Sequence, residues 1–377
     1  MRVAIITESY APDVNGVANS VVRVAGHLVA RGHEPLVIAP RPRGARQAAP
    51  MGYPVLRLPS LPMPGYPNVR LALPSRRIRE VLRSYRPDIV HLASPFVLGA
   101  WGATAAAELG LPIIAVYQTD VPGYAAVYGI GLTERLAWSW IAKLHGRASM
   151  TLAPSTATAA QLSAHHVRGI SRWGRGVDTN LFHPRHRDPA LRSELAPGGE
   201  LIVGYVGRLA KEKRVDDLRE AATLPGVRVV VVGDGPTRAR VARALPTAVF
   251  LGTRSGQELA RVYASLDVFV HTGPHETFCQ TVQEAMASGV PVLAPAAGGP
   301  LDLIRPGVTG LLVPPGDPAA LADAVSTLAG DRELRERMGV AARVAVADRT
   351  WSALGDELIG YYRTVLGIPQ PSSLELV

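Results

Sequence analysis

Apolar and polar positions follow two alternating rhythms along the whole chain. Short runs of apolar, mostly β-branched residues are followed by longer stretches in which apolar residues recur at helical spacing. The first rhythm is typical of buried strands and the second of helices packed on them, so their alternation predicts parallel sheets with crossover helices. We predict strands at 3–7, 35–40, 55–59, 88–93, 112–119, 150–154, 201–206, 227–232, 249–252, 267–271, 291–294 and 310–313.

These strands predict an α/β protein with two Rossmann-like domains. A chain of 377 residues is too long for one ordinary core. The stretch 174–184 carries turn residues and ends in a proline, so we place domains at 1–178 and 179–350. A last helix at 351–366 is expected to pack back on the first domain. Because ligands favour clefts between domains, we expect the functional site there.

The N-terminal residues predict a buried first strand and lack the apolar length of a signal peptide. No apolar run approaches the roughly 20 residues that span a bilayer. The single cysteine, Cys279, excludes an intrachain disulfide and fits a reducing compartment. We therefore expect a cytoplasmic protein that is soluble or peripheral on the inner face of the plasma membrane.

Positive charge is concentrated in the first half of the chain. Residues 1–180 hold 19 Lys/Arg against 9 Asp/Glu, whereas the remainder holds 21 against 22. This asymmetry predicts an acidic partner for the first half, such as a phospholipid surface or an anionic acceptor. Nucleic acid is disfavoured, because the sequence has no basic-aromatic RNA-binding signature, zinc-finger spacing or basic zipper.

A cationic loop follows the predicted strand 201–206. It carries Arg208, Lys211, Lys213 and Arg214, and it includes two of the three lysines in the chain. Such a run is usually a solvated surface. At the carboxyl end of a parallel strand, however, four cations can bind a diphosphate, and this interpretation is favoured here.

Two carboxylates, Glu276 and Glu284, flank a predicted helix start at Phe278 or Gln280. Glu276 would lie in the preceding loop and Glu284 about one turn inside the helix, whose free amides could meet a phosphate or sugar hydroxyls. A bare pair at this spacing mostly means two exposed carboxylates. Its position between strands 267–271 and 291–294 makes it a candidate binding site for a sugar and a ribose diol.

A similar helix start follows the first strand, where Asn15 and Gly16 precede a helix from about Val17. Free backbone amides and the helix dipole favour anions at this position, and Gly16 permits close approach of a phosphate. The alternative is a simple N-cap turn.

With these motifs the sequence resembles retaining glycosyltransferase family 4 over nearly its whole length. The matching motifs are Asn15-Gly16, Gly207-Arg208 with Lys213, Val-Gly-Asp-Gly-Pro at 232–236, and the Glu276 and Glu284 pair. The stretch 276–289, together with Tyr-Gln-Thr-Asp at 117–120, is similar to actinobacterial GDP-mannose-dependent α-mannosyltransferases that build membrane glycolipids.

The resemblance implies a GT-B fold, with parallel sheets facing across a cleft, a donor site mostly in the second domain, and no metal or other cofactor. It implies catalytic roles for Glu276, Arg208 and Lys213. The donor-binding residues that it implies are Gly16, Arg208, Lys213, Arg254, Glu276, Phe278, Cys279, Gln280, Thr281 and Glu284. Candidates on the acceptor side are Asn15, Gln118, Asp120 and Tyr124.

The sequence departs from the family pattern at two positions. Many relatives carry a histidine at the position where this chain has Gln118. A histidine therefore cannot be the catalytic residue at this position of this chain. Relatives often place glycine after the lysine of the cationic loop, where this chain has Arg214. The charge of the loop survives this change, while its backbone geometry is left open.

Other chemistry is less well supported. His271, His275 and Glu276 lack the spacing of a zinc-binding helix, and Cys279 has no evident basic activator in the sequence and is expected to be a small packed residue near the donor. The segment 229–235 resembles half of a dinucleotide fingerprint, but Arg238 occupies the place of its third glycine.

A basic segment at 69–86 interleaves arginines with apolar residues and predicts an amphipathic helix from about Pro74. Such a helix can lie on an anionic membrane, and the resemblance to the family favours this interpretation. The alternative is an ordinary surface helix whose apolar stripe packs on the sheet.

The sequence thus favours a glycosyltransferase that moves mannose from GDP-mannose to a lipid or glycolipid acceptor at the cytoplasmic membrane face. The alternatives are a transferase that uses a UDP-sugar and a soluble small molecule, a nucleotide-sugar-binding protein without turnover, and a non-hydrolysing UDP-sugar epimerase. An epimerase would be expected to have more carboxylates and histidines in the cleft.

Overall fold

A computed structural model describes residues 1–13, 15–42, 51–63, 66–73, 75–93, 95–120, 122–123 and 131–369. Its contacts divide the chain into two compact units. The first comprises Met1–Arg175 with Trp351–Val377, and the second comprises Gly176–Thr350. The division falls after Arg175, within the stretch 174–184 that carries the turn residues.

The first unit contains a seven-stranded sheet and a separate hairpin. Its strands are β1 (Arg2–Ile6), β2 (Glu34–Pro40), β3 (Val55–Leu58), β4 (Ser60–Met63), β5 (Tyr66–Ala72), β6 (Ile89–Leu92), β7 (Ile113–Val116), β8 (Met150–Ala153) and β9 (Ile170–Arg172). The sheet is parallel, with strand order β3-β2-β1-β6-β7-β8-β9. The hairpin pairs β4 with β5 in antiparallel register.

Helices cover both faces of this sheet. They are α1 (Gly16–Ala30), α2 (Arg77–Tyr85), α3 (Val97–Glu108), α4 (Gly131–His145) and α5 (Thr156–Ala164). Because side chains alternate along a strand, Val3 and Ile5 of β1 join a core with α1, while Ala4 and Ile6 join a second core with α2 and α3. Both faces are therefore buried, as in other parallel sheets.

The second unit contains a six-stranded parallel sheet with strand order β12-β11-β10-β13-β14-β15. Its strands are β10 (Leu201–Val206), β11 (Val227–Val232), β12 (Val249–Gly252), β13 (Val268–Val270), β14 (Val292–Pro295) and β15 (Gly310–Val313). Its helices are α6 (Pro189–Leu195), α7 (Arg238–Ala244), α8 (Gly256–Ser265), α9 (Gln280–Ala287), α10 (Pro300–Leu303), α11 (Pro318–Gly330) and α12 (Arg332–Val346).

The C-terminal helix α13 (Trp351–Val365) packs in the first unit. Its buried Leu358 and Tyr362 belong to the core that also contains Val3 and Ile5 of β1. Asp356 of the same helix is ion-paired with Arg31, which directly follows α1. The chain thus returns to the unit in which it begins.

All the predicted strands are present, and the predicted two-sheet α/β fold is confirmed. The predicted strand 112–119 is too long, because β7 ends at Val116 and the chain then turns. The hairpin β4–β5 and the short strand β9 were not predicted. Prolines interrupt the apolar pattern of the hairpin, and β9 has only three residues.

Helix α2 corrects the expectation of an amphipathic helix that lies on a membrane through its apolar face. Its apolar residues Ile78 and Leu82 are each about 1% exposed and lie in the core beneath the sheet, so they offer no apolar face to a bilayer. The alternative of an ordinary surface helix therefore holds for Arg77–Tyr85, while residues 69–72 belong to β5 and Pro74 lies outside the described residues. Among the described helices, none combines the length and apolarity that crossing a membrane requires.

Candidate functional site

The candidate site of the second unit lies where the strand order of its sheet reverses. From β10 the chain proceeds outward to β11 and β12, and it then returns to the other side of β10 as β13. In open parallel sheets the loops at the carboxyl ends of such strands diverge and leave a crevice for a ligand. The cationic loop follows β10, and the segment with Glu276 follows β13, so both predicted motifs lie at this reversal.

The cationic side chains of this loop lie in different environments. Arg208 is exposed and forms no ion pair with any residue in the described ranges, so its guanidinium is available to a ligand. Lys213 is only 15% exposed in its side chain and is ion-paired with Glu276. Arg214 binds Asp217, with 2.7 Å between Nε and Oδ2. Arg208 is thus available to a ligand, whereas Lys213 is held beside Glu276.

Arg214 also explains the second departure from the family pattern. Its backbone lies in the left-handed region, with φ 48° and ψ 39°, between two short 3-10 turns. Glycine adopts this conformation without strain, which accounts for its frequency in relatives. Here the two hydrogen bonds from the Arg214 guanidinium to Asp217 offset the cost of a side chain at this position.

Glu276 is a largely buried carboxylate between two cationic partners. Besides Lys213, it contacts the ring of His271, with 3.4 Å between Nε2 and Oε1. Burial alone raises the pKa of Glu276, but Lys213 and His271 outweigh it and hold that pKa well below its usual range. Glu276 is therefore ionised at neutral pH and can accept hydrogen bonds from hydroxyl groups.

His271 is almost fully buried beside Glu276 and Cys279. Burial disfavours its charged ring, but Cys279 and Glu276 outweigh burial and raise the pKa of His271 to about 10. One potential ligand atom from each of these three residues lies within 4.8 Å of the others, which is close enough for a shared metal ion. The ammonium of Lys213 already provides a cation at the Glu276 carboxylate, which disfavours a second cation there.

Helix α9 directs its N-terminus into the same loop region. It begins at Gln280, one of the two predicted starts, and Cys279 caps it in the left-handed region with φ 74°. Phe278 and Cys279 are buried in the core, so only their backbone can meet a ligand. Thr281 lies in the first turn, where amide groups have no partner within the helix.

A glycine pair after β14 supports this loop. The Gly299 amide donates to the Glu276 carbonyl at 2.8 Å. A Cβ atom at Gly298 would lie 2.4 Å from the same carbonyl oxygen, and one at Gly299 would lie 2.3 Å from the Phe278 carbonyl oxygen. Larger residues would therefore push the Glu276–Phe278 backbone out of place.

The motif at 232–236 plays a similar structural role. A Cβ atom at Gly233 would lie 1.9 Å from the Gly207 carbonyl oxygen, and one at Gly235 would lie 2.2 Å from the Leu209 carbonyl oxygen. The glycines therefore let the loop after β11 pack directly against the loop that carries Arg208.

Glu284 lies one turn inside α9 and accepts a hydrogen bond from the Tyr263 hydroxyl at 3.1 Å. Burial raises the pKa of Glu284 to about 7, although the Tyr263 and Gln280 hydrogen bonds lower it. Gln280 donates to the Gly176 carbonyl at 3.1 Å, and its buried Oε1 has no partner among the described residues. The Glu284 carboxyl group and the Gln280 Oε1 atom of α9 can thus accept hydrogen bonds from a ligand.

Arg254 lies apart from these groups. It is exposed and follows β12, the edge strand two positions from β10 in the sheet. Across the described residues, no hydrogen bond or ion pair connects it to the Lys213–Glu276 pair. Its predicted role in donor binding stays a prediction.

The predicted residues of the first unit lie at the carboxyl ends of its strands. The Asn15 side chain caps α1 by accepting from the Ala18 amide at 2.9 Å. Buried Arg175 donates to Gln118 Oε1 at 2.8 Å, and a Cβ atom at Gly16 would lie 2.5 Å from its Nη1. The structure therefore brings Gly16, Gln118 and Arg175 together.

Asp120, a further acceptor-side candidate, has hydrogen-bond partners of its own. Asp120 accepts from the Tyr117 hydroxyl at 3.2 Å and from the Gly123 amide at 3.0 Å, which orders the turn that follows β7. Tyr124 lies outside the described residues.

Sequence reasoning missed the neighbours of the predicted residues. His271 was weighed only as a metal ligand, and Tyr263 gave no signal because it lies 21 positions before Glu284. Arg175 stands between two glycines in the stretch 174–184, and this could have marked it. The Gly298-Gly299 pair directly after a strand was a further readable sign.

Comparisons with known proteins show which family the chain belongs to. The model of Glycosyltransferase Family 4 matches residues 14–181, and that of Glycosyl transferases group 1 matches residues 187–345. The chain is 53% identical over 371 residues to a GDP-mannose-dependent alpha-mannosyltransferase of Mycobacterium tuberculosis, covering 97% of each chain. It is 44% identical to a Corynebacterium glutamicum protein of the same name, covering 98% of this chain and 90% of the relative.

More distant matches fit the same pattern. The chain is 29% identical to a GDP-mannose-dependent alpha-(1-6)-phosphatidylinositol dimannoside mannosyltransferase of Mycobacterium tuberculosis, covering 89% of this chain and 90% of the relative. Among solved structures, sucrose-phosphate synthase from Thermosynechococcus elongatus superimposes with a TM-score of 0.80 at 22% identity, covering 97% of this chain and 99% of the other. This last likeness concerns the fold.

Proposed function

This chain belongs to glycosyltransferase family 4, and on that premise we propose that it transfers a mannosyl residue from GDP-mannose to a lipid or glycolipid acceptor at the cytoplasmic face of a membrane. The donor is proposed from the full-length relatives, which are GDP-mannose-dependent mannosyltransferases. The lipid nature of the acceptor is proposed from the more distant relative named for phosphatidylinositol dimannoside.

The Lys213–Glu276 ion pair at the strand-order reversal carries the proposal. A nucleotide sugar has a doubly charged diphosphate next to a sugar rich in hydroxyl groups. The pair places an ammonium and an ionised carboxylate side by side in a largely buried position. The ammonium can bind a phosphate oxygen and the carboxylate can accept from sugar hydroxyls, so one pair can recognise both halves of the donor.

We assign further contacts from the positions of the neighbouring groups. Exposed Arg208 and the free amides at the start of α9 would bind the remaining phosphate oxygens. Ionised Glu284 would accept from the ribose diol. On the family resemblance alone, Gly16 and Arg254 are proposed as additional donor contacts, and Asn15, Gln118, Asp120 and Tyr124 as contacts to the acceptor.

In the proposed reaction, the bond between the anomeric carbon and the diphosphate oxygen breaks as GDP departs. The acceptor oxygen bonds to the same carbon on the same face, so configuration is retained, and its proton passes to a departing phosphate oxygen. Lys213 and Arg208 stabilise the charge that develops on the diphosphate. Because these side chains supply positive charge at the leaving group, we expect no requirement for a divalent ion.

The proposal is tested with a panel of nucleotide sugars in EDTA, with and without a lipid extract, while nucleotide release is measured. We expect GDP release from GDP-mannose, enhanced by the lipid extract. Release from UDP-sugars instead would establish the alternative donor. Binding of GDP-mannose without release would indicate a non-catalytic protein, and a strict need for Mg²⁺ or Mn²⁺ would contradict the proposed charge stabilisation.

Replacing Arg208 with Ala is expected to weaken donor use without weakening the fold. Loss of one charge-assisted contact to the diphosphate should lower kcat/KM for GDP-mannose by about thirtyfold, or about 2 kcal/mol. The melting temperature should stay unchanged, because Arg208 is exposed and forms no ion pair with the described residues. Arg240→Ala, a charge-matched change on α7, is the control. Equal kinetics in both variants would remove Arg208 from the site.

Glu284 is expected to make donor binding depend on pH. Its raised pKa of about 7 means that the carboxyl group is mainly neutral at pH 6 and ionised at pH 8, and the ionised form accepts ribose hydroxyls more strongly. The KM for GDP-mannose should therefore fall as the pH rises through 7. In Glu284→Gln the KM should be higher at pH 8 and flat over this range. A parallel pH profile in both proteins would contradict the ribose assignment.

The raised pKa of Glu284 also predicts how the stability of the ligand-free protein depends on pH. The folded-state pKa of Glu284 lies above its ordinary value of 4.5, so the folded state holds the extra proton between pH 4.5 and about 7. Its stabilising contribution is complete below pH 4.5 and is lost as the pH rises to about 7. The melting temperature of the wild type should consequently fall more steeply over this window than that of Glu284→Gln.

A further inference from the structure

The first unit carries an open groove between α3 and α4 that the proposed donor chemistry does not use. Its volume is about 320 Å³, within the range of ligand pockets. Trp101 of α3 and Trp140 of α4 line it and remain 44% and 43% exposed. Two half-exposed tryptophans in one groove form an unusual apolar surface for a part of the chain rich in arginine.

Trp140 and Lys143 of α4 line this groove, and Leu136 lies one turn before Trp140 on the same helix face without lining the groove. Leu136, Trp140 and Lys143 follow one another at spacings of four and three, and Arg147 lies one further turn on, just after the helix. Leu136 is 63% exposed. The face therefore passes from apolar side chains to cationic ones along its length.

The cationic end of the groove is not neutralised by carboxylates. Among the residues that the structure describes, neither Lys143 nor Arg147 forms an ion pair, and Arg147 instead donates to the Thr104 hydroxyl at 2.7 Å. Lys143 and Arg147 both line the groove. An occupant with an anionic group next to an apolar chain would complement both ends.

We propose that this groove docks the protein on a membrane by binding an anionic glycerophospholipid. The phosphate would lie between Lys143 and Arg147, and the first part of an acyl chain would lie between Trp101 and Trp140. Tryptophan favours the membrane interface, since its ring is apolar and its N–H is polar, and basic residues are attracted to anionic lipids. The inference rests on the proposed lipid acceptor, which requires access to a membrane surface.

This groove differs from the surface that the sequence suggested. Ile78 and Leu82 of α2 are buried, and Val81 is partly buried against the same core, so α2 offers a membrane mainly charge. Arg79 of α2 is also paired with Glu108 of α3, at 3.3 Å between Nε and Oε2. The groove combines exposed apolar and cationic groups, as a lipid requires.

The test is cosedimentation of the full chain with vesicles of phosphatidylcholine alone or mixed with phosphatidylglycerol, at low and high salt. We expect salt-sensitive binding to the anionic vesicles. At low salt, a variant with Lys143→Gln and Arg147→Gln should bind them at least about tenfold more weakly than the wild type. The control is Arg332→Gln with Arg337→Gln, which removes the same charge from the exposed face of α12.

A second readout tests the tryptophans. Brominated phosphatidylglycerol should quench the fluorescence of the wild type, and a Trp101→Phe, Trp140→Phe variant should lose this quenching while keeping its melting temperature. Equal sedimentation of the groove and control variants, absent quenching, or no vesicle binding at all would each overturn the proposal.

Titration of GDP-mannose in the same proteins separates this inference from the proposed function. If the groove variants bind GDP-mannose like the wild type and lose vesicle binding, the groove is the docking surface. If the wild type binds vesicles through the groove but fails to bind GDP-mannose, the proposed function fails while the docking inference stands.

Discussion

Replacing Glu276 with Ala is expected to abolish mannosyl transfer, with kcat reduced by about a thousandfold, at the upper end of losses seen for single groups that stabilise a transition state. The variant loses the acceptor for sugar hydroxyls and also the partner that orients Lys213. It further leaves Lys213 largely buried without this carboxylate, which should cost about 3–5 kcal/mol of folding free energy. Steady-state kinetics and thermal melts measure the two effects.

Two variants separate chemistry from stability in this experiment. Glu276→Gln keeps the size of the side chain and its hydrogen-bonding oxygen, so it should melt closer to the wild type while staying nearly inactive. Glu200→Ala breaks the ion pair with Arg228, which lies at the opposite, amino-terminal ends of β10 and β11. It should lower stability and leave kcat unchanged. Wild-type turnover in Glu276→Ala would remove Glu276 from the sugar site.

Replacing Lys213 with Ala is expected to lower kcat/KM for GDP-mannose by at least about thirtyfold, because a charge-assisted contact to the diphosphate is worth about 2 kcal/mol or more. In contrast to Arg208, Lys213 is largely buried, so its loss should also destabilise the fold by leaving Glu276 with His271 as its partner. Titration with GDP isolates the diphosphate contact from the sugar contact.

The control for Lys213 comes from the same loop. Lys211→Ala removes an identical charge from an exposed position two residues earlier and should change GDP affinity much less. A double variant of Lys213 and Glu276 should lose less than the sum of the two single losses, since both residues belong to one pair. Equal effects of Lys211→Ala and Lys213→Ala on GDP affinity would indicate that Lys213 contributes only general positive charge and no specific contact.

The sequence allowed prediction of the strands and of the two charged motifs, because both depend on local order. Alternating apolar runs specify buried strands, and the cations at 208–214 stand directly after one of them. It did not reveal that β13 pairs with β10. That adjacency places Glu276 against Lys213, although 63 positions separate them, and it is set by the packing of the whole sheet.

Other features depended on contacts that no local pattern reports. The direction of the apolar stripe of α2 follows from its packing on the sheet, and a helix with the same spacing could face a membrane. The left-handed backbone at Arg214 and Cys279 contradicts the usual preference of those residues. Both positions flank the Lys213–Glu276 pair, where the loops that bind a ligand must turn sharply.

The most direct test of the central claim is the movement of labelled mannose from GDP-mannose into a lipid phase. Wild-type protein is incubated with GDP-[¹⁴C]mannose and a lipid extract in EDTA, and radioactivity in the organic phase is counted against Glu276→Gln. We predict that label enters the lipid phase with the wild type and stays in the aqueous phase with the variant. Label that stays in water with both proteins, or that enters lipid equally with both, would contradict the proposed function or the proposed site.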